Sequence, residues 1–518
     1  MTDLLQTRFE QLSNLLREHA ATQPAHPAIR LDDQVLDYAA LNTQVDRVAA
    51  ALQRDGLVPG EAIAICAGTS IAYGVLFLGA LRAGVAVAPL APSSSPESLA
   101  RMAGDAQARR LFLDASTRDT LALVPPSLPR VALDDTADTV PGSQAWSDWL
   151  APAGTRAQAV ALTPEHPFNI IYSSGTTGEP KGIVQSHGMR WGHIQRGTVY
   201  GYSPDGTTLL STPLYSNTTL VSFFPTLGLG GTVVLQAKFD AGAWLRLAQQ
   251  HHVTHAMLVP VQYQRLLAHP DFDRTDLSSF RLKFCTSAPF AADLKAEVLR
   301  RWPGALIEMY GMTEGGGTCV LEASKHPDKL HTVGKPAPGH DIRLIDDAGN
   351  EVAPGEAGEV AGHSPIMMNG YYGRPEKTRE AEWFDPSGKR FIRTGDIGRF
   401  DADGFLTLFD RKKDMIISGG FNLYPSDLEA VLRQHPAVAD VAVVGVPSVQ
   451  WGETPVAAVV RRDGNPTTDA ELLVWANEKL GRMQRLAALR CVEELPRSAI
   501  GKVLKRELRD SLGALNVA

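Results

Sequence analysis

The sequence predicts an α/β protein: a large N-terminal region of layered α/β subdomains plus a β-rich subdomain, with a small α+β domain at the C-terminal end. Three observations carry this prediction. From about Glu61 to Glu314, short apolar runs alternate with periodic, helix-like stretches, the pattern of strand–helix layers with substantial parallel sheet. From about Asp341 the texture changes to strands joined by tight turns. Finally, 518 residues are too many for one hydrophobic core, so two or more domains are expected.

In chain order, the opening "MTDLLQTRFEQLSNLLREHAATQP" carries early acids and no apolar signal core. The longest apolar stretch, "YGVLFLGALRAGVAVAPLAP", is interrupted by Arg82 and ends in prolines, too broken to span a bilayer. "AIAICAGTS", "VAVAPLAP", "RRLFLDA", "FNIIYSS", "TLLSTPLY", "TVVLQAKF", "THAMLVP" and "LKFCTSAP" read as strands with a buried face. "GAWLRLAQQHH" and "ADLKAEVLRRW" read as helices between them. "DIRLIDDAGNEVAPGEAGEVAGH" and "RFIRTGDIGRFDADGFLTLFD" predict antiparallel hairpins, the second turning at Asp403-Gly404. Beyond Arg411 lies a segment of domain size, with helices expected to open on capping boxes at Ser426–Glu429 and Thr468–Glu471.

Composition narrows the function classes. The chain is 44% hydrophobic and 21% charged, ordinary for a globular protein. Its net charge of -7 argues against general nucleic-acid binding, which needs a basic surface. Four cysteines lie far apart with no C-x-x-C pair, which argues against a disulfide framework or zinc cluster and fits a cytoplasmic protein.

The most informative stretch is Ile170–Val184, "IIYSSGTTGEPKGIV". A loop of Gly, Ser and Thr after a strand can wrap N–H groups and hydroxyls around phosphate oxygens, and Lys181 adds a cation. The spacing does not match G-x-x-x-x-G-K-[ST], so this is not a P-loop of that kind. "HHVTH" sets His251 and His255 four apart with no third ligand nearby, and these are expected to be solvated turn histidines.

"YSSGTTGEPKG" closely resembles the phosphate-binding signature of adenylate-forming enzymes, the superfamily of acyl- and aryl-CoA synthetases, peptide-synthetase adenylation domains and luciferases. Its other motifs follow in order down nearly the whole chain, and the likeness is strongest to free-standing acyl- or aryl-CoA ligases. The resemblance implies a phosphate cradle at Ser173, Ser174, Gly175, Thr176, Thr177, Gly178 and Lys181. "TSAPF" supplies an adenine pocket at Ser287, Ala288 and Pro289, and "YGMTEGG" supplies Tyr310, Gly311, Met312 and Thr313 for the nucleotide. Glu314 would hold Mg²⁺, a hard cation that takes one or two carboxylates in phosphate sites. "RTGDIG" supplies Asp396 for the ribose hydroxyls, and Arg411 would reach ribose or phosphate. The same resemblance divides the chain into residues 1–410, a hinge at 411–413 pivoting at Lys413, and a mobile lid at 414–518.

In that reading Lys502, with Lys181, Thr177 and Glu314, catalyses attack of a carboxylate on ATP to give acyl-AMP and pyrophosphate. The lid then turns, withdrawing Lys502 and bringing in Gly419 and Gly420 so that a thiol can expel AMP. ATP, Mg²⁺ and coenzyme A are the implied cofactors, with a carrier-protein phosphopantetheine as the alternative thiol. Lys505 and Arg506 are expected to form a basic face on the last helix. The acid pocket is expected near Trp191, Tyr215, Ser216, Asn217, Ser287, Gly315 and Gly316, with Ser216 standing where the family often has histidine. Small residues after Glu314 suggest an open apolar slot, which favours a fatty or aromatic acid, and no extra cation for a dicarboxylate is evident from the sequence.

Overall fold

The computed structural model describes residues 8–135, 140, 142–173, 181–418, 421–448, 450–498 and 501–513. The chain forms two compact units. One comprises Met1–His331, Pro336–Asp341 and Gly362–Ile392, the other Thr332–Lys335, Ile342–Ala361 and Arg393–Ala518.

Two sheets build the first unit. One runs in the order Gly370–Tyr371, Lys181–Ser186, Pro167–Ser173, Ala86–Pro89, Ala62–Cys66, Ala108–Leu113, Arg130–Ala132, Ser143–Ala145. Its pairings are parallel from Pro167–Ser173 onward and antiparallel at the Lys181–Ser186 end. Every residue of Ala62–Cys66 and Ala86–Pro89 is buried, as expected of strands covered on both faces. The apolar stretch that follows is a core helix, Ile71–Arg82, whose N-cap Ser70 accepts a hydrogen bond from the Tyr73 amide at 3.1 Å. Arg82 is tolerated inside because it pairs with Asp46 at 3.0 Å and donates to the Asn42 side chain at 2.8 Å.

The second sheet places Thr318–Glu322, Ala305–Gly311, Leu282–Cys285, His255–Leu258, Thr207–Leu210, Thr232–Leu235, Pro27–Leu31 and Gln34–Asp37 side by side. Its inner pairings are parallel and its outer ones antiparallel. The helices Ala241–Gln250 and Ala292–Arg301 lie where the sequence pattern predicts. The helix Asn217–Gly228 seals the core: Phe224 meets Phe77 and Phe168 with ring centroids 5.3 Å and 4.9 Å away.

His255 departs from expectation. It is fully buried in its strand, bonded to the Tyr200 carbonyl at 3.0 Å and to the Thr254 hydroxyl at 2.7 Å. It is therefore a satisfied core histidine, while His251 follows the preceding helix. No helix among the described residues is long and apolar enough to cross a membrane.

In the second unit, Leu406–Arg411 pairs antiparallel with the end of Arg390–Phe400, and Gly404 makes the intervening turn at φ +81°. The C-terminal segment carries a sheet in the order Phe421–Leu423, Ile416–Ser418, Gly452–Arg461, Val438–Ser448, with Ala488–Val492 parallel to Gly452–Arg461. Alternation along Val438–Ser448 sends Val441 and Val443 into one apolar layer and Ala442 and Val444 into another. Helices Pro425–Leu432, Asp469–Lys479 and Lys505–Leu512 complete it.

Of the two expected capping boxes, the one at Thr468 forms: the Glu471 amide donates to its hydroxyl at 3.3 Å, and the Thr468 amide to the Glu471 carboxylate at 2.8 Å. The one at Ser426 does not. The helix starts earlier, with Pro425 in the first turn, and the Ser426 hydroxyl is buried without a partner. Asp410 caps that helix from outside, accepting from the Ser426 amide at 2.7 Å. It also pairs at 3.5 Å with Lys505, which reaches Glu429 at 3.2 Å. Lys505 is thus an enclosed ion-pair residue, whereas Arg506 is exposed as expected. Asp410→Ala should lower the stability of the C-terminal segment by about 1–3 kcal/mol, because a cap and a partly buried counter-charge go together. Denaturant unfolding followed by Trp475 fluorescence measures this.

Candidate active site

The strands Pro167–Ser173 and Lys181–Ser186 pair with Ser173 opposite Lys181 and Tyr172 opposite Gly182. Glycine is required at 182, where a Cβ would lie 2.8 Å from the Ile170 side chain. Ser174, Gly175, Thr176, Thr177 and Gly178 lie outside the described residues, as do Gly419, Gly420 and the Ser173 side chain.

Lys181 begins its strand with its ammonium 5.2 Å from the ring centre of Tyr371. Tyr371 sits on the neighbouring strand, opposite Ile183, and its hydroxyl donates to Glu314 at 2.8 Å. Burial, and then the Glu314 charge, push the Tyr371 phenol well above its usual range, so it stays a donor. The Glu314 carbonyl accepts from the Met368 amide at 2.8 Å. One tyrosine therefore joins the cation and the carboxylate at the two sequence motifs. Among the described residues no three His, Cys, Asp or Glu side chains group to hold a metal by themselves. A lone carboxylate beside a phosphate-type lysine fits an ion held mainly by phosphate oxygens, as Mg²⁺ is.

The Ala305–Gly311 strand ends in the Tyr310–Thr313 motif and lies beside Leu282–Cys285, which runs into Ser287, Ala288 and Pro289. The Thr286 hydroxyl donates to the Met309 carbonyl at 2.8 Å and ties the two ends together. Ser287 takes φ +79°, costly for a residue with a Cβ, and its hydroxyl meets that of Thr218 at 2.6 Å. Thr218 is in the helix Asn217–Gly228, whose N-cap is Ser216: its hydroxyl accepts from the Thr218 amide at 3.3 Å. This gives Ser216 a structural reason to be serine.

Asn217 belongs to a buried network centred on Arg190. The guanidinium donates to Asn169 at 3.0 Å, to Asn217 at 2.9 Å and to Gln185. Gln185 donates in turn to the Thr313 carbonyl at 2.7 Å. Trp191, the next residue, is buried in the main core, with Tyr215 packed against it. Gly315 takes φ +74°, and a Cβ there would lie 2.4 Å from the Ile366 carbonyl oxygen; a Cβ on Gly316 would lie 2.7 Å from Ile392. A Cβ at either glycine would meet protein, so their smallness serves close packing at these two positions rather than opening a slot there.

In the second unit, Asp396 pairs across the strands with Arg411, which donates to it at 3.1 Å. A bulge between Asp396 and Gly398, and Gly395 at φ +73°, set the carboxylate. Lys502 stands on a reversal in which Arg497 bridges Val503 and the Ser498 amide donates to the Lys502 carbonyl at 2.8 Å. Loss of hydration, and then Arg411, pull its ammonium below the ordinary lysine range, with Asp396 opposing. Lys413 is exposed. Asp396, Arg411 and Lys502 thus share one electrostatic neighbourhood although the sequence spreads them over more than a hundred positions. Sequence reasoning missed Tyr371, Gln185, Arg190 and Thr218; the only signal was an arginine amid apolar residues in a helix.

Each unit thus carries its own cluster of charged and hydroxyl groups at the sequence motifs. The chain matches the AMP-binding enzyme family over residues 16–372 and the AMP-binding enzyme C-terminal domain over 427–502. It is 34% identical to a feruloyl-CoA synthase of Amycolatopsis sp, over 95% of this chain and 97% of that one. It is 32% identical to an indoleacetate–CoA ligase of Aromatoleum aromaticum, over 96% and 98%. Among solved structures it resembles ATP-bound MatB from Rhodopseudomonas palustris, with a TM-score of 0.86 and 30% identity over 97% and 99% of the two chains. The chain belongs to the AMP-binding, adenylate-forming enzyme family.

Tyr371→Phe should leave the fold intact and raise the Mg²⁺ concentration for half-maximal ATP-dependent activity roughly 3- to 10-fold, the cost of one hydrogen bond to a charged group. A Mg²⁺ titration at saturating ATP reads this.

Proposed function

We propose that the chain is an AMP-forming acid–CoA ligase acting on a fatty or aromatic carboxylic acid. The observation that supports the reading is the linked set Lys181, Tyr371 and Glu314, a cation and a carboxylate joined through one tyrosine, the pair that a metal–triphosphate would need. The full-length likeness to two CoA ligases supports the thiol assignment.

The uncatalysed step is hard because a carboxylate is a weak electrophile with a poor leaving group. Its oxygen attacks the α-phosphorus of ATP, the bond to the β-phosphate breaks, and pyrophosphate departs. Mg²⁺, when bound, neutralises charge on the phosphates. Lys181 balances phosphate charge, and Glu314, oriented by Tyr371, holds the ion. Ser287, Ala288, Pro289 and Tyr310 to Thr313 receive the base and α-phosphate, Asp396 the ribose hydroxyls. Lys502 holds carboxylate and α-phosphate together, a role that needs its proton. In the second step a thiol sulfur attacks the acyl carbonyl, the bond to AMP breaks and AMP leaves. That step uses the Gly419–Gly420 loop after residues 414–518 turn at Lys413. Free cysteines at 66, 285, 319 and 491 suit a reducing cytoplasm.

Pyrophosphate release with a panel of acids tests the reading, followed by product analysis with CoA and with a phosphopantetheinylated carrier. Acyl-CoA is expected; thioester on the carrier alone would overturn the CoA assignment. Lys502→Ala should reduce adenylation about 10²–10³-fold while sparing thioester formation from premade acyl-AMP. Equal loss of both half-reactions would contradict the role given to Lys502. Because the ammonium is depressed, the active cation is lost as pH rises through a value below the usual lysine range. The alkaline limb of the adenylation profile should fall there and shift upward in Lys502→Arg.

A further inference from the structure

We propose that the acid activated by this chain carries a second carboxylate at its far end, received by Arg196, His193 and His340. The inference rests on the ligase reading and refines its substrate. The helix His187–Val199 comes so close to Ile366 that a Cβ on Gly192 would lie 2.6 Å from that side chain. Gly315 abuts the carbonyl of the same Ile366, and a Cβ there would lie 2.9 Å from Met189 of the helix. The helix and the glycine turn after Glu314 therefore converge on one point. Helical spacing puts Arg196 on the side of Gly192 and His193 on the side of Met189. His340 is fixed to the same turn, since its Nδ1 accepts from the Thr318 amide at 2.9 Å, one residue beyond Gly317.

The three side chains lie in one another's fields. Burial, and then Arg196, lower both imidazoles, His340 to about 4, so both are neutral at pH 7. Each neutral ring has its Nδ1 occupied as an acceptor: that of His193 by Arg190 at 3.4 Å, that of His340 by Thr318. Each therefore presents an Nε2–H donor. Arg196 has no carboxylate within ion-pairing distance among the described residues; the titratable group in its field besides the two imidazoles is the neutral phenol of Tyr200. Glu322 faces Tyr200 and is itself paired with Lys325, and His363 faces His340 while its Nδ1 donates to the Arg390 carbonyl.

The cluster thus offers a guanidinium and two imidazole N–H donors, with no carboxylate of its own among the described residues. A partly buried cation without a counter-charge is unfavourable, and a ligand bringing two acceptor oxygens in a plane relieves it by fork-to-fork pairing. A plain fatty tail or unsubstituted ring brings none.

The test compares matched acids on the full chain with ATP and Mg²⁺: hexanoate against adipate, and 3-phenylpropanoate against 3-(4-carboxyphenyl)propanoate. Pyrophosphate release should favour the diacid at least about tenfold in kcat/KM in one pair, through KM, the scale of one charge-assisted contact. Arg196→Gln should abolish that preference and leave the monoacid rate near wild type; Arg196→Lys should keep part of it. A wild-type preference for the monoacid in both pairs, or a ratio untouched by Arg196→Gln, would overturn the inference while the ligase reading stands. If no acid releases pyrophosphate, the ligase reading fails. Calorimetric binding of the same acids to wild type and Arg196→Gln then decides whether the donor cluster takes a second carboxylate.

Discussion

A guanidinium buried among amides organises the candidate site of the first unit. Arg190 faces Asn169, Gln185 and Asn217 and has no carboxylate partner among its hydrogen bonds; burial brings its pKa down to about 9. Its cost is met by carbonyl dipoles from three other elements, each of which must be in register for the cation to stay solvated by protein. Those elements carry the site: Asn169 and Gln185 lie on the two strands flanking the Ser/Gly/Thr segment, and Asn217 heads the helix that meets Ser287. Gln185 extends the network to the Thr313 carbonyl, next to Glu314. A shift in any of these segments would strand a buried charge.

The same economy explains why charge is used so sparingly there. Ser287 is held in a strained backbone conformation by one hydroxyl contact, and Glu314 is oriented by a neutral phenol. Neutral partners fix geometry without cancelling the charges that the proposed metal–triphosphate site would use. The second unit does the opposite with Asp396 and Arg411, which hold each other by an ion pair.

The sheets were legible because buried parallel strands are nearly continuous apolar runs; "AIAIC" and "AVAP" could hardly be anything else. The family was legible because its motifs follow one another in order down nearly the whole chain. What stayed hidden depends on distant partners. Ser426 looks like a cap, but its role passed to Asp410, sixteen residues earlier. His255 looks like a turn residue until Tyr200, remote in sequence, supplies its carbonyl. Gly315 looks like empty space until Ile366 fills it. The cationic end of the helix His187–Val199 was invisible because whether an arginine meets a carboxylate, as Arg196 does not among the described residues, is a fact about three dimensions.

Asp410 has a second importance. It precedes Lys413, while Ser426 and Lys505, which it grips, both follow it. A turn of the chain at Lys413, the proposed pivot, would leave Asp410 on one side and its two partners on the other. If the chain turns at Lys413 as proposed, these contacts have to be released, so they would act as a latch on the present arrangement. Glu429 lies on the same side of Lys413 as Lys505 and pairs with it independently of Asp410.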